Sequence, residues 1–255
     1  DEEFIFAMVE RAKKLGFRST NLDLIYGLPK QTQARFAETL AQVLEMQPGR
    51  LSIFNYAHMP QLFAAQRKIK DEDLPQAEEK MAILQDTIAT LTNAGYQFIG
   101  MDHFAQPDDE LAVAQRKGIL HRNFQGYTTQ GECDLVGFGV SAISMIGDAY
   151  AQNQKELKKY YAQVNEQRHA LWKGVALDGD DLLRREVIKQ LICNFKLDKV
   201  SVETEFDVEF NHYFKEDLEL LQTFINDELV EVDDKEIRVT LRGRLLIRNI
   251  CMCFD

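Results

Sequence analysis

A chain of 255 residues with 45% hydrophobic content is long enough for one large core or two smaller ones. Its 30 Lys+Arg against 41 Asp+Glu give a net charge of -11, which argues against nonspecific attraction to nucleic acid or to an anionic membrane surface. No apolar run approaches the ~20 residues that a membrane span requires, and no basic-then-apolar leader stands at Asp1, so the expectation is a soluble, cytoplasmic protein with no nucleic-acid or membrane partner. The four cysteines, Cys133, Cys193, Cys251 and Cys253, are too sparse for a disulfide scaffold. Cys251-Met252-Cys253 is half of a metal site at most, with no second pair, and buried reduced thiols are the expectation; no metal ligand is assigned.

From Phe4 onward the pattern is helix alternating with short strand. Phe4, Met8, Ala12 and Leu15 predict a helix that stops at Gly16, and Asn21 to Tyr26 reads as a strand. A helix from about Gln31 to Met46 ends before Pro48-Gly49, and Leu51 to Ala57 is the next strand. Gln76 to Asn93 carries Met81, Leu84, Ile88 and Leu91 on one helical face and is closed by Gly95. Gln97 to Met101 is the third expected strand, and Asp134 to Met145 a fourth, bent by Gly137 and Gly139. Strands separated by helices argue for a parallel sheet covered on its outer face. Beyond Asn153 that alternation stops. Leu157, Tyr160, Tyr161 and Val164 mark a helix leading into a helical module striped by Leu182, Val187, Ile188 and Leu191, then by Phe214, Leu218, Leu221 and Ile225. Leu229 to Val232 and Glu236 to Thr240 flank a turn at Asp233-Asp234-Lys235, a hairpin that looks like a winged helix. The expected fold class is α/β with two parts, residues 1–150 and residues 151–255.

Three strings then point to a family: Asn123-Phe124-Gln125-Gly126-Tyr127-Thr128-Thr129-Gln130, Gly100-Met101-Asp102-His103-Phe104-Ala105, and Asp23-Leu24-Ile25-Tyr26-Gly27-Leu28-Pro29-Lys30. Together they resemble the oxygen-independent coproporphyrinogen III oxidases, radical S-adenosylmethionine enzymes of haem and porphyrin biosynthesis. The resemblance runs to the last residue. It implies residues 1–150 as part of an open, partial TIM-like α/β barrel and residues 151–255 as a cap with the winged-helix-like hairpin. It also implies two molecules of S-adenosylmethionine and a 4Fe-4S iron-sulfur cluster, whose C-x-x-x-C-x-x-C motif would lie upstream of Asp1. The chain is therefore expected to be the larger, C-terminal part of an oxidoreductase and to have no radical activity alone. The implied reaction converts two propionates of coproporphyrinogen III to vinyl groups, giving protoporphyrinogen IX. It proceeds through a 5'-deoxyadenosyl radical, with a reductant such as a flavodoxin-type donor.

Side-chain alternation sets Asp23 and Ile25 opposite Leu22, Leu24 and Tyr26, so Asp23 is expected to face the barrel interior. A buried carboxylate there needs an internal cation, backbone amides or a ligand hydroxyl or amine. The resemblance implies that Asp23 holds the second S-adenosylmethionine and that the main chain of Ala57 contacts it. It likewise implies that Ile143 flanks the first, with nearby glycines leaving room; by residue type alone, alanine and isoleucine at such places are packing. Phe124 and Gln125, in a glycine-punctuated loop, are the pair implied to act close to both cofactors. Arg116, Lys117, His121 and Arg122 form a basic cluster in an acidic chain, and Arg116 and Arg122 are candidate partners for the four substrate carboxylates, with a solvated charged face as the plain alternative. Three rival readings remain. His58, Asp102 and His103 at strand ends suit a metal-dependent barrel hydrolase, although H-x-H and H-E-x-x-H spacings are missing. Arg242, Arg244 and Arg248 beside the hairpin suit a nucleic-acid module, against the net charge. A haem-binding chaperone of the same superfamily would read N-x-x-Y-W where this chain reads Asn123-Phe124-Gln125-Gly126-Tyr127.

Overall fold

The computed structural model describes residues 2–255, which are mixed α/β and form two compact units, the first ending at Lys117 and the second beginning at Gly118. The first unit runs α1 (Glu2–Lys14), β1 (Asn21–Tyr26), α2 (Gln33–Met46), β2 (Arg50–Asn55), α3 (Ala77–Asn93), β3 (Gln97–Gly100), β4 (His103–Ala105) and α4 (Glu110–Arg116). Its sheet has the order β1-β2-β4-β3. β1 and β2 are parallel, with Asp23 opposite Ser52 and Ile25 opposite Phe54. Leu22 and Leu24 pack, with the buried Tyr26, Leu51, Ile53 and Phe104, against Phe36, Leu40 and Val43 of α2 and Ile83 and Leu91 of α3. Each such side chain, fully buried, contributes roughly 1.5–3 kcal/mol.

The wholly parallel sheet expected from the sequence is not what forms. Gly100 (φ 147°) and Met101 (φ 56°) reverse the chain, so the third strand ends at Gly100 and β4 returns antiparallel between β2 and β3. Within α1 the predicted stripe is also displaced. Phe4, Met8 and Leu15 are 64%, 56% and 67% exposed, whereas Val9 is buried. Lys13 fixes that rotation by donating from Nζ to the carbonyl of Met46, at the C-terminal end of α2 (2.7 Å). The same end of the sheet, where the parallel strands β1 and β2 begin, is also tied by Asp109. It caps α4 by accepting from the Leu111 amide (2.9 Å), accepts from Ser19 Oγ (2.9 Å), and receives Arg50 Nε on both carboxylate oxygens (3.0 and 2.9 Å).

The second unit opens with a hairpin, β5 (His121–Asn123) and β6 (Gly126–Thr128), followed by β7 (Ile143–Ile146) and β8 (Ala149–Asn153). After α5 (Leu157–Gln167) comes β9 (Leu171–Ala176), which completes an antiparallel sheet of order β7-β8-β9. Two expectations are corrected here. The strand predicted over Asp134 to Met145 is broken by Gly139 (φ 98°) and Ser141 (φ 60°): its last residues, from Ile143, belong to β7, and Leu135 makes an isolated bridge to Met145. The strand β9, in the part expected to be helical but for one hairpin, escaped notice because all six residues are exposed and Gly174 interrupts its alternation. Position 150, expected as a boundary, lies within β8.

The remainder comprises α6 (Gly179–Asn194), β10 (Lys196–Asp198), α7 (Lys199–Phe206), α8 (Phe210–Tyr213), α9 (Lys215–Asn226), β11 (Val230–Val232), β12 (Glu236–Val239) and α10 (Ile247–Cys251). α6 starts in a reciprocal capping box between Asp178 and Asp181 and buries Leu183, Val187 and Leu191, one residue out of phase with the expected Leu182. The strands form a sheet of order β10-β12-β11. Lys199, 3% exposed, joins this sheet to the helices, donating to Asn211 Oδ1 (3.0 Å) and to the carbonyl of Asp233 in the hairpin turn (2.6 Å). Cys193, Cys251 and Cys253 are buried thiols, and burial pushes those of Cys193 and Cys251 up to about 12. Among the described residues no helix is long and apolar enough to cross a membrane.

Two stability predictions follow from these contacts. Asp109→Ala strands the Arg50 guanidinium and uncaps α4, and should destabilise the first unit by about 3 kcal/mol, read as a lowered urea midpoint; an unchanged midpoint would contradict the tie. Burial first, and Lys189 second, lower the pKa of His121, whose ring packs against Gly131. The unfolded chain therefore takes up this proton before the folded one does. Stability is complete above the ordinary histidine pKa of about 6.5 and falls as pH drops below it, so His121→Gln should flatten the change in urea midpoint between about pH 7.5 and about pH 5.5. An equally steep change in the variant would refute that assignment.

Candidate functional site

Helices cover one face of the first unit's sheet, and alternation delivers a distinct set of side chains to the other: Asn21, Asp23 and Ile25 from β1, Ser52 and Phe54 from β2, and His103 from β4. Asp23 is exposed there, in the orientation expected relative to Leu22, Leu24 and Tyr26. Its Oδ1 accepts from Asn21 Nδ2 (2.6 Å), and Asn21 and Ser52 are themselves hydrogen-bonded (3.1 and 3.2 Å). Among the described residues Asp23 has no ion pair, so the internal cation that a buried carboxylate would require is not its partner; a neutral amide is. Ile25 and Phe54, 45% and 36% exposed, add apolar surface beside it, and Phe54 meets the His103 ring edge-on at 6.1 Å.

Ala57 lies in the loop past the end of β2 rather than in a strand. The Tyr56 amide bonds the Tyr26 carbonyl (2.8 Å), which carries the parallel pairing one residue past the end of β2. The Ala57 carbonyl accepts from Gln66 Nε2 (3.0 Å), and Gln66 Oε1 accepts from the Met59 amide (2.6 Å), so one side chain folds this loop. His58 approaches Asp71 (3.4 Å) and the Tyr56 hydroxyl (3.4 Å). Among the described residues His58, Asp102 and His103 form no group of the kind that holds a metal ion. Arg116 donates to Gln97 Oε1 and to the Pro107 carbonyl (both 2.6 Å), contacts that brace α4 against β3. That bracing weakens the expectation that it pairs with a ligand carboxylate.

In the second unit Phe124 and Gln125 form the two-residue turn of the β5–β6 hairpin, a regular element where a loop was expected. Asn123 Oδ1 accepts from the Gln125 amide (2.8 Å), and Gly126 takes φ 127°, which a side chain would disfavour. The half-exposed Phe124 ring meets Tyr150 edge-on at 5.2 Å. Tyr150 pairs with Met145, and Ile143 with Gln152, so Tyr150, Met145, Ile143 and Gln152 share one face of the β7-β8-β9 sheet. The fold thus groups Phe124 with Ile143 in the second unit, and Asp23 with Ala57 in the first. Of the nearby glycines, Gly139 has open space beside it, whereas Gly137 lies against the backbone, where a Cβ would sit 2.7 Å from the Ile143 carbonyl oxygen. Arg122 is exposed and sits over the Tyr127 ring at 5.7 Å. Arg244 is half-buried over the Phe195 ring at 4.4 Å, and burial lowers its pKa, so it is no free surface arginine for a phosphate backbone.

Sequence reasoning missed the Asn21–Ser52 pair beside Asp23 and the exposed strand β9 with Trp172 and Lys173. The first was legible in principle, since polar residues at alternate strand positions mark an uncovered face.

Residues 177–246 match the HemN C-terminal domain family. The chain is 68% identical over 255 residues to the oxygen-independent coproporphyrinogen III oxidase of Escherichia coli (strain K12), covering all of this chain and 56% of that protein. Its counterpart in Pseudomonas aeruginosa is 53% identical over 248 residues, covering 97% of this chain and 54% of the relative. The one in Thermostichus vulcanus is 46% identical over 255 residues, covering all of this chain and 78% of the relative. A solved structure described as "Coproporphyrinogen III oxidase (HemN) from Escherichia coli is a Radical SAM enzyme" superimposes with a TM-score of 0.98 at 68% identity, over all of this chain and 59% of that one. The chain thus spans about half the length of most of these relatives. With 78% of the Thermostichus vulcanus protein covered at 46% identity, the chain belongs to the oxygen-independent coproporphyrinogen III oxidase family.

Proposed function

We propose that, as part of a longer protein, this chain serves oxygen-independent oxidative decarboxylation of coproporphyrinogen III to protoporphyrinogen IX, with S-adenosylmethionine as cofactor. The observation that carries the reading is Asp23, an exposed carboxylate on the uncovered sheet face with no ion pair among the described residues and with Ile25 and Phe54 as apolar neighbours. That donor set fits a nucleoside: the carboxylate accepts from ribose hydroxyls or from an ammonium group, and the apolar side chains take the base. Bound S-adenosylmethionine supplies the radical chemistry. The chain's part is to hold and orient: Asp23 and the Ala57 main chain at one cofactor molecule, Ile143 at the other, Phe124 and Gln125 near both, and Arg122 ahead of Arg116 at substrate carboxylates. A 4Fe-4S cluster does not fit the thiols described here, because among the described residues no three His, Cys, Asp or Glu side chains are grouped to hold a metal, and Cys193, Cys251 and Cys253 are buried while Cys133 is exposed. No step is assigned to it.

In this reading the first unit's sheet belongs to a partial α/β barrel, and the β10-β12-β11 sheet with its helices is a winged-helix-like cap that excludes water from the reacting centre. The reductant is a flavodoxin-type donor. A haem chaperone with the same architecture would instead bind haem and leave the propionates intact; the Asn123-Phe124-Gln125-Gly126-Tyr127 string favours the oxidase.

In the full-length protein, Asp23→Ala removes a charge-assisted acceptor and should weaken S-adenosylmethionine binding roughly tenfold or more, measured by equilibrium dialysis. Unchanged binding would sink the role of Asp23. Wild-type full-length protein should form protoporphyrinogen IX anaerobically, whereas tight haem binding without decarboxylation would decide for the chaperone. The 255-residue chain alone should show no turnover, and any turnover by it would contradict the proposal.

A further inference from the structure

The segment 155–173 is basic within an acidic chain. Lys155, Lys158, Lys159, Arg168 and Lys173 stand against Glu156 and Glu166, five less two giving +3, where the whole chain carries -11. Lys159 is paired with Glu156 at 2.6 Å. Lys155 and Lys173 are exposed and instead place their ammonium groups over the Trp172 ring, at 4.9 and 5.0 Å from its centroid. Among the described residues neither has an ion pair.

The register gives this arrangement a direction. Ile143 lies opposite Gln152, and Gln152 opposite Lys173, so the three form one cross-strand row on the same face of the sheet. The neighbouring row is Met145, Tyr150 and Val175, and Phe124 packs on its central ring. Two strand spacings set Lys173 roughly 10 Å from Ile143. The apolar platform of Phe124, Tyr150 and Val175 therefore borders a positive edge.

We infer that Lys173, with Lys155 beside it, binds carboxylates of the tetrapyrrole substrate and positions its macrocycle over the Phe124–Tyr150 platform. The inference rests on the proposed oxidase reading and adds to it a binding edge on β9. An ammonium on a flexible stem suits a mobile propionate, while the flat apolar platform suits the ring system. An acidic protein docking on the same lysines is the competing occupant; it would use the charges but not the platform.

The test uses full-length protein and the air-stable tetracarboxylate coproporphyrin III as probe, with its tetramethyl ester as control. Lys173→Met should raise the Kd for coproporphyrin III about tenfold and the KM for coproporphyrinogen III in parallel, with kcat little changed. Lys173→Arg should stay within about threefold of wild type, and the ester should bind wild type and Lys173→Met alike. Exposure on an edge strand leaves these variants able to fold. A Kd for Lys173→Met within about twofold of wild type, or an equal loss for the ester, overturns the inference. So does a variant that keeps porphyrin affinity and loses only its rate of reduction. If wild type turns over the substrate while Lys173→Met behaves identically, this inference alone fails. If wild type neither binds nor converts any tetracarboxylate tetrapyrrole, the oxidase reading fails with it.

Discussion

A strand shows its side chains alternately to two faces, and in the first unit only one of those faces is covered. α2 and α3 bury Leu22, Leu24 and Tyr26, which obliges Asn21, Asp23 and Ile25 to the uncovered side. A slip of one residue would bury the carboxylate and expose the leucines, so burial of the apolar set fixes the polar one. The reach of Asp23 is therefore a consequence of core packing and needs no local strain. Because it is exposed and held by the neutral Asn21 amide, it remains available as an acceptor.

The second unit uses the same rule on a thinner platform. The β7-β8-β9 sheet brings Ile143, Tyr150 and Lys173 to one face, and the Phe124 turn leans on it. The turn is defined by its own residues, since Asn123 caps the Gln125 amide and Gly126 supplies the unusual backbone angle. Polar contacts elsewhere keep rigid what flanks these faces. Asp109 ties β2 to α4, Gln66 folds the loop after β2, and Lys199 locks the β11–β12 hairpin to its helices.

Much of this was legible beforehand. Helical periodicity located α2 and α3, and alternation along Asn21 to Tyr26 gave the facing of Asp23. What escaped had specific causes. The antiparallel β4 depends on a left-handed Met101, a conformation that residue type does not announce. The break before Ile143 depends on Ser141 in the same region of backbone space, and β9 is too exposed to show a buried period. The rotation of α1 was set by the bond from Lys13 to a carbonyl 33 positions away, which no local pattern encodes. Asp23, Phe124 and Gln125 stood out through family strings, whereas the engagement of Arg116 with Gln97 and Pro107 could be seen only in three dimensions.

The central claim is that the uncovered sheet face around Asp23 receives a nucleoside cofactor. Carboxyl footprinting of the full-length protein, with labelling at Asp23 read by mass spectrometry with and without S-adenosylmethionine, addresses it directly. The account predicts that the cofactor shields Asp23 while leaving the exposed Glu231 as reactive as before. Equal labelling of Asp23 in both conditions, under saturation verified by dialysis, would contradict it.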